Sequence, residues 1–163
     1  EAEWEVAARG GLEAQEFAWG DSLTVRGRHQ ANTWQGLFPV INLVEDGFVG
    51  LAPVGCYPAN ALGLFDMIGN VWELTADVFV ADRPAVSSQT SASSNEGLDP
   101  DEAQRPPIFK KLQANSDPKA RVIKGGSFLC APNYCMRYRA GSRQPQEEDL
   151  AVSHLGFRTI YQP

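Results

Sequence analysis

The clearest periodicity along the chain lies at its start. In residues 1–11, "EAEWEVAARGG", the apolar residues Trp4, Ala7 and Ala8 recur at the i, i+3, i+4 spacing of one helical face, and Gly10-Gly11 stops the run. No Ser, Thr, Asn or Asp stands before Glu1 as an N-cap. The chain is therefore expected to start inside or at the edge of a helix, as a piece of something larger. Beyond this helix the period fades. "FAWGD", "WQGLFPV", "EDGFVGLAPV" and "YPANALGLFDMIGNVWEL" interleave aromatics with Gly, Pro, Asn and Asp. That mixture predicts short strands, tight turns and long ordered loops. One helical turn is expected around Leu64–Ile68, ended by Gly69-Asn70. "ARVIKGGSFL" predicts a strand entering a Gly-Gly turn, "NYCMRYRAGSR" a second strand and "SHLGFRTIYQ" a third that closes the fold. Residues 81–120 differ in kind, being rich in Ser, Pro, Asp and Gln with Phe109 as their only aromatic. They read as a surface excursion between two halves of a single domain, residues 1–163. An α+β fold with little regular structure is the expectation.

The length of 163 residues suffices for one domain with a real core. A net charge of −6 argues against a general nucleic-acid partner, although the Arg-rich stretch after Cys135 is a candidate local basic patch. No apolar run approaches the ~20 residues that span a bilayer, and no signal peptide is visible. No nucleic-acid or membrane partner is expected. Nucleotide loops of the G-x-x-x-x-G-K-[ST] or G-x-G-x-x-G type are absent. Ser22, Ser127 and Ser142 lack a G-x-S-x-G context, and His154 reads as readily as a surface residue as a base.

Chemistry gathers at the cysteines. Three cannot all pair internally, and Cys56 reads as an inert small core or turn residue. Cys130 and Cys135 enclose four residues, which is not the C-x2-C of a zinc knuckle, and the only histidines are His29 and His154. Two thiolates suit a soft, low-coordinate ion such as Cu(I), or a redox disulfide. A structural disulfide across a turn, or two unreactive thiols, fits the spacing as well. On a strand, Cys135, Arg137 and Arg139 would share one face, with Met136 and Tyr138 on the other. Arg137, Arg139 and Arg143 would then favour thiolates, pair with carboxylates or be solvated. Two loops carry oxygen ligands of the calcium type. One holds Asn32, Asp46, Gly47 and Phe48; the other holds Asp66 and Glu73 about Gly69-Asn70. Neither is an EF-hand, and the same residues equally make turns.

The segments "EAEWEVAARGG", "WG", "ANTWQGLFPV", "EDGFVGLAPV", "GLFDMIGNVWELT", "KGGSFLCAPNYCMRYR" and "HLGFR" follow one another in an order that resembles the formylglycine-generating enzymes, or sulfatase-modifying factors. "GNVWELT" marks the broad superfamily. "GGSFLCxxxYCxRYR" is more specific and carries the cysteine pair that inactive paralogues lack. The resemblance implies a formylglycine-generating-enzyme/C-type-lectin-like fold with low regular secondary-structure content. It implies oxidation of a cysteine in a C-x-P-x-R segment of a sulfatase to formylglycine with O2, with Cu(I) on Cys130 and Cys135. It places Ser127 and Tyr134 at catalytic positions, and Trp72, Arg137, Arg139 and His154 on the substrate side. It implies two Ca2+ sites. Asn32, the Thr33 carbonyl, Asp46 and the Phe48 carbonyl would form one; Asp66, the Gly69 and Val71 carbonyls and Glu73 would form the other. Ala140 and Thr159 stand where secretory members carry structural cysteines, which suits a reducing, bacterial-type cytoplasm. Ala131 replaces a frequent His, and His154 a usual Asn. The N-terminal portion of the family's domain is missing, so a chain supplying it is an expected partner beside the sulfatase. A non-catalytic peptide- or glycan-binding module on the same scaffold is the alternative. A sulfur-to-histidine coupling oxygenase would need a His-rich iron site that two histidines do not supply.

Overall fold

A computed structural model describes residues 1–81 and 120–161. The apolar face of "AEWEVAAR" forms helix α1, Ala2–Arg9, which buries Trp4 and Ala8. Gly10 ends it in the left-handed conformation (φ 58°), and its N–H donates to the Val6 carbonyl at 3.2 Å. Thr24–Val25 (β1) and Arg28–His29 (β2) make a small antiparallel hairpin. A four-stranded sheet follows, built from β3 (Trp72–Val78), β4 (Ala120–Lys124), β5 (Gln144–Glu147) and β6 (Leu155–Gly156) in the order β5-β4-β3-β6. β4 is antiparallel to both neighbours, with Glu73 opposite Lys124 and Val122 opposite Pro145. β6 runs parallel to β3, with Trp72 opposite Leu155. The other described residues are loop and turn, so this is an α+β fold of low regular content. Among the described residues no helix is long and apolar enough to cross a membrane.

One core joins α1 to the sheet and the loops. It contains Trp4, Ala8, Phe17, Met67, Ile68, Trp72, Ile123, Cys130 and Tyr138. Buried charge supplements it. Lys124 is fully buried, donates to Glu5 Oε2 at 3.2 Å and lies 5.6 Å from the Trp4 ring centroid. Trp4 Nε1 donates to Glu73 Oε2 at 2.6 Å. A single helix thus reaches both central strands through polar contacts as well as apolar ones, which fixes its rotation on the sheet.

The helix, its Gly10 stop and the "ARVIK" strand agree with expectation. Other elements do not. No helical turn forms over Leu64–Ile68: Asp66 takes φ 52°, and Asn60 Oδ1 accepts the Leu62 and Leu64 N–H groups at 3.0 and 3.1 Å, making a loop instead. "NYCMRYRAGSR" is not a strand. Tyr134 and Cys135 both donate to the Ala131 carbonyl (3.1 and 2.9 Å), a turn that Pro132 favours, and ladder pairing starts only at Gln144. Within it Tyr138 is fully buried while Arg137 is exposed. "SHLGFRTIYQ" shrinks to the two residues of β6. β3, seven residues long, starts within "YPANALGLFDMIGNVWEL", where a mixture of short strands, turns and loops was expected with no strand located. Of the excursion read at 81–120, all but Ala81 and Ala120 lies outside the described residues.

Candidate active site

β4 delivers the chain into Gly125-Gly126 and then Ser127, which nucleates the first turn of the site. The Cys130 N–H donates to the Ser127 carbonyl (2.9 Å), the Leu129 N–H to Ser127 Oγ (3.3 Å) and the Ser127 N–H to Cys130 Sγ (3.5 Å). The 131–135 turn then folds back and brings Cys135 Sγ to 3.4 Å from Cys130 Sγ. Both thiols are free. They are unequal: Cys130 is 2% exposed, whereas Cys135 is half-buried. Burial pushes the Cys130 thiol up to about 12, and the neighbouring Cys135 adds to that, against hydrogen bonds from Ser127. Two soft donors this close, one anchored and one reachable, form a bracket for a soft ion or the halves of a disulfide. The donor chemistry therefore fits Cu(I).

Aromatic rings brace the rim. Tyr134, 72% exposed, stacks on Phe38 at 4.7 Å, and Trp34 meets Phe38 edge-on at 5.0 Å. Asn133 clasps the Phe38 backbone, accepting its N–H at 3.3 Å and donating to its carbonyl at 3.4 Å. The Trp34 backbone N–H donates to the Cys130 carbonyl at 2.9 Å. Behind the pair, Tyr138 packs on Phe17 at 5.9 Å, and burial raises its phenol to about 12. Among the described residues its hydroxyl and Arg139 Nε have no hydrogen-bond partner.

The other expected site residues divide. Trp72 is 4% exposed and shares the core with Cys130; its backbone N–H donates to the His154 carbonyl at 2.8 Å. Arg137 reaches Gln144 and Arg139 pairs with Glu16, so neither guanidinium is directed at the sulfurs by these contacts. Asn32, Thr33, Asp46 and Phe48 do meet. Asp46 Oδ2 accepts the Thr33 N–H at 3.1 Å and Oδ1 the Phe48 N–H at 3.0 Å. Asn32 is 1% exposed, and its Oδ1 is buried without a partner among the described residues. An orphaned buried carbonyl oxygen one residue from the backbone N–H that Asp46 accepts is chemistry a hard cation can use. The second set does not fit as arranged. Asp66 Oδ2 accepts the Gly55 N–H at 2.7 Å, and Glu73 already takes Trp4 Nε1 and both sides of the Arg158 guanidinium, with Nε–Oε2 at 2.6 Å. Arg158 also donates to the Phe65 and Asp66 carbonyls at 3.2 and 3.4 Å. Hydrogen bonding to Glu73 raises the Arg158 pKa, so a guanidinium stands where the cation was expected. Cys56 is exposed, directly after the turn at residues 54–55.

Phe38, Trp34, Asn133, Asn70 and Arg158 are the contributors that sequence reasoning missed. Only Asn70 carried a signal, as the partner of Gly69 in a turn.

An α+β scaffold of long ordered loops with a close thiol pair on a turn after its central strand defines a sulfatase-modifying-factor type of domain. Residues 1–163 match the family described as "Sulfatase-modifying factor enzyme 1-like domain", and the chain belongs to it. It is 45% identical over 163 residues to a "Formylglycine-generating enzyme" of Thermomonospora curvata, covering 100% of this chain and 48% of that one. It is 49% identical over 161 residues to an "Inactive C-alpha-formylglycine-generating enzyme 2" of Mus musculus, covering 97% and 40%. The fold superposes on PvdO from Pseudomonas aeruginosa with a TM-score of 0.58 at 25% identity, over 96% of this chain and 48% of that one. The chain spans about half the length of the curated relatives it matches.

Proposed function

We propose that this chain carries the thiol-pair half of a formylglycine-generating enzyme, which converts a cysteine in a C-x-P-x-R segment of a sulfatase to Cα-formylglycine with O2 and Cu(I). The observation that carries this reading is the 3.4 Å approach of two free sulfurs, one buried and one reachable. Overall similarity cannot decide, because an inactive relative is as similar as an active one.

At the substrate, the cysteine side chain passes two electrons and two protons to O2, which is reduced to the level of hydrogen peroxide, and becomes a thioaldehyde; water then replaces sulfur to give the aldehyde and hydrogen sulfide. Cu(I), when bound, supplies affinity for a third sulfur and the chemistry of O2. Cys130 and Cys135 would hold it. Ser127 steadies Cys130 from the backbone side, through its N–H. Cys135, the reachable thiol, faces the incoming cysteine, and the exposed Tyr134 ring, held by Phe38, packs against the peptide and limits water. Asn32 and Asp46 would hold a Ca2+, which would stiffen the loop that carries Trp34. Cys130 and Cys135 stay reduced in a cytoplasm of the bacterial type, where glutathione-like buffers keep thiols free.

The test is an aerobic assay on a C-x-P-x-R peptide, with and without Cu(I), read by mass spectrometry beside Cys130→Ser and Cys135→Ser. Copper-dependent conversion of cysteine to aldehyde, lost in both variants, is the expected result. A folded protein that gives no product and binds no Cu(I) would make the pair structural. The similarity to an inactive relative would then favour the non-catalytic binding module.

A further inference from the structure

The residue that ties most of this site together is neither a thiol nor an expected metal ligand. Asn70 is 8% exposed and adopts φ 60°. Its Oδ1 accepts from Asn32 Nδ2 at 3.1 Å and from the Ala52 N–H at 2.9 Å, and its Nδ2 donates to the Ala52 carbonyl at 3.1 Å. Its backbone N–H donates to the Asn32 carbonyl at 2.8 Å, and its carbonyl accepts the Phe128 N–H at 3.0 Å. Its side chain and backbone thus bond to three separate segments at once. Phe128 belongs to the turn that carries Cys130. The Trp34 backbone N–H returns to the Cys130 carbonyl at 2.9 Å, which closes a ring from Asn32 through Cys130 and Phe128 back to Asn70. Gly69, next door, donates to the Gly125 carbonyl at 2.8 Å and fastens the same turn from its other end.

We propose that Asn70 is a positioning residue for the thiol pair: it locks the Asn32–Asp46 loop to the 127–130 turn, so that the order of that loop sets how the two sulfurs approach. Its importance for catalysis rests on the oxidase reading above; the mechanical coupling does not. Buried side-chain amides bonded in this way hold backbone segments to one arrangement, and each bond lost leaves a buried partner unpaired. Asn32 is shared between the clamp and the expected Ca2+ ligands, so a cation on Asn32 and Asp46 would be felt at Cys130 through the same ring. The competing account is that the 131–135 turn alone sets the sulfurs, through its two bonds to the Ala131 carbonyl.

Disulfide closure in the metal-free protein separates the two accounts. The parent is Cys56→Ser, which removes the exposed thiol. Diamide takes two electrons and two protons from Cys130 and Cys135 and becomes the hydrazine, and the rate reports how well the sulfurs are aligned. Asn70→Gly keeps the left-handed backbone and deletes only the side-chain bonds. Closure slowed about tenfold or more, at a temperature where both proteins are folded, is expected, in line with the cost of displacing reacting groups by ~1 Å. A rate within about twofold of the parent would overturn a positioning role for the Asn70 side chain, because a merely structural asparagine would move only the melting temperature while the backbone bonds to Asn32 and Phe128 stay in place. If Asn70→Gly does not fold, the parent decides. Faster closure in Ca2+ than in chelator, by about threefold, supports the coupling, and equal rates in a protein whose melting temperature Ca2+ raises overturn it. Cu(I) competition against a chromophoric chelator is run on the same parent. Absence of Cu(I) binding there sinks the oxidase reading and leaves the closure rates to stand by themselves.

Discussion

Two glycines offer a matched test of the packing around this clamp. Gly63 and Gly69 share φ 75°, a conformation in which an L side chain is strained. Alanine at either site costs about 1–2 kcal/mol for the left-handed backbone. At either site it also stiffens the unfolded chain, which offsets ~0.4–1 kcal/mol. These contributions cancel in the comparison. What differs is the space. A Cβ on Gly63 meets nothing within 4 Å, whereas one on Gly69 falls 2.4 Å from the Asn32 carbonyl oxygen and 3.1 Å from Ala31 Cβ. Asn32 cannot retreat freely, because its Nδ2 is held by the Gly50 carbonyl at 2.7 Å and by Asn70. Overpacking of this sort costs about 1–3 kcal/mol, and the displaced Asn70–Asn32 backbone bond adds about 1 kcal/mol. Gly69→Ala should therefore destabilise by about 2–4 kcal/mol more than Gly63→Ala. Urea unfolding of both variants, with m-values compared, measures the gap. A difference below about 1 kcal/mol would refute the claim that the 69–70 turn is pressed against the Asn32 loop.

Other outcomes follow from the buried charges and the loop. Glu5→Gln removes the carboxylate facing the fully buried Lys124 and should cost about 3–5 kcal/mol in thermal or urea unfolding. Burial alone would raise the Glu5 carboxyl, but Arg9 and Lys124 hold it below its ordinary 4.5. Its contribution is therefore present above the unfolded value and lost as pH falls through the folded one, and Glu5→Gln should flatten the acid limb of the stability profile. An unchanged acid slope would reject that assignment. Chelation should lower the melting temperature and Ca2+ restore it, by about 2.7 kcal/mol at a hundredfold excess over Kd. Asp46→Asn should abolish the response, and a melting temperature indifferent to chelator would count against the cation.

The parts legible in the sequence are those where one segment decides its own fate. α1 followed from Trp4, Ala7, Ala8 and Gly10, and "ARVIK" was read as a strand running into the Gly125-Gly126 turn. Cys130 and Cys135 were recognisable as a pair, but the contact of their sulfurs depends on backbone bonds that spacing does not show, among them the turn at Ala131 and the Trp34 N–H on the Cys130 carbonyl. Local pattern failed where distant groups decide. Asp66 could not be seen to take a left-handed conformation, because the loop around it is organised by Asn60. β3 was hidden in a run of loop-like residues, since its partners lie far along the chain. Glu73 looked like a calcium ligand until Arg158, 85 residues away, was found on its carboxylate. Asn70 read as a turn residue because none of its partners adjoins it.

The parallel pairing of β3 with β6 has a consequence for biosynthesis. Trp72 and Glu73 emerge from the ribosome long before Leu155 and Gly156, the residues that cover their edge. Until then β3 presents unpaired N–H and C=O groups, and Glu73, 6% exposed once the fold is complete, awaits its guanidinium. Because contacts so distant along the chain form slowly, the nascent protein is most vulnerable to edge-to-edge association between the synthesis of β3 and that of β6. A chaperone that shields β3 during that interval should raise the yield of folded protein more than one added after release.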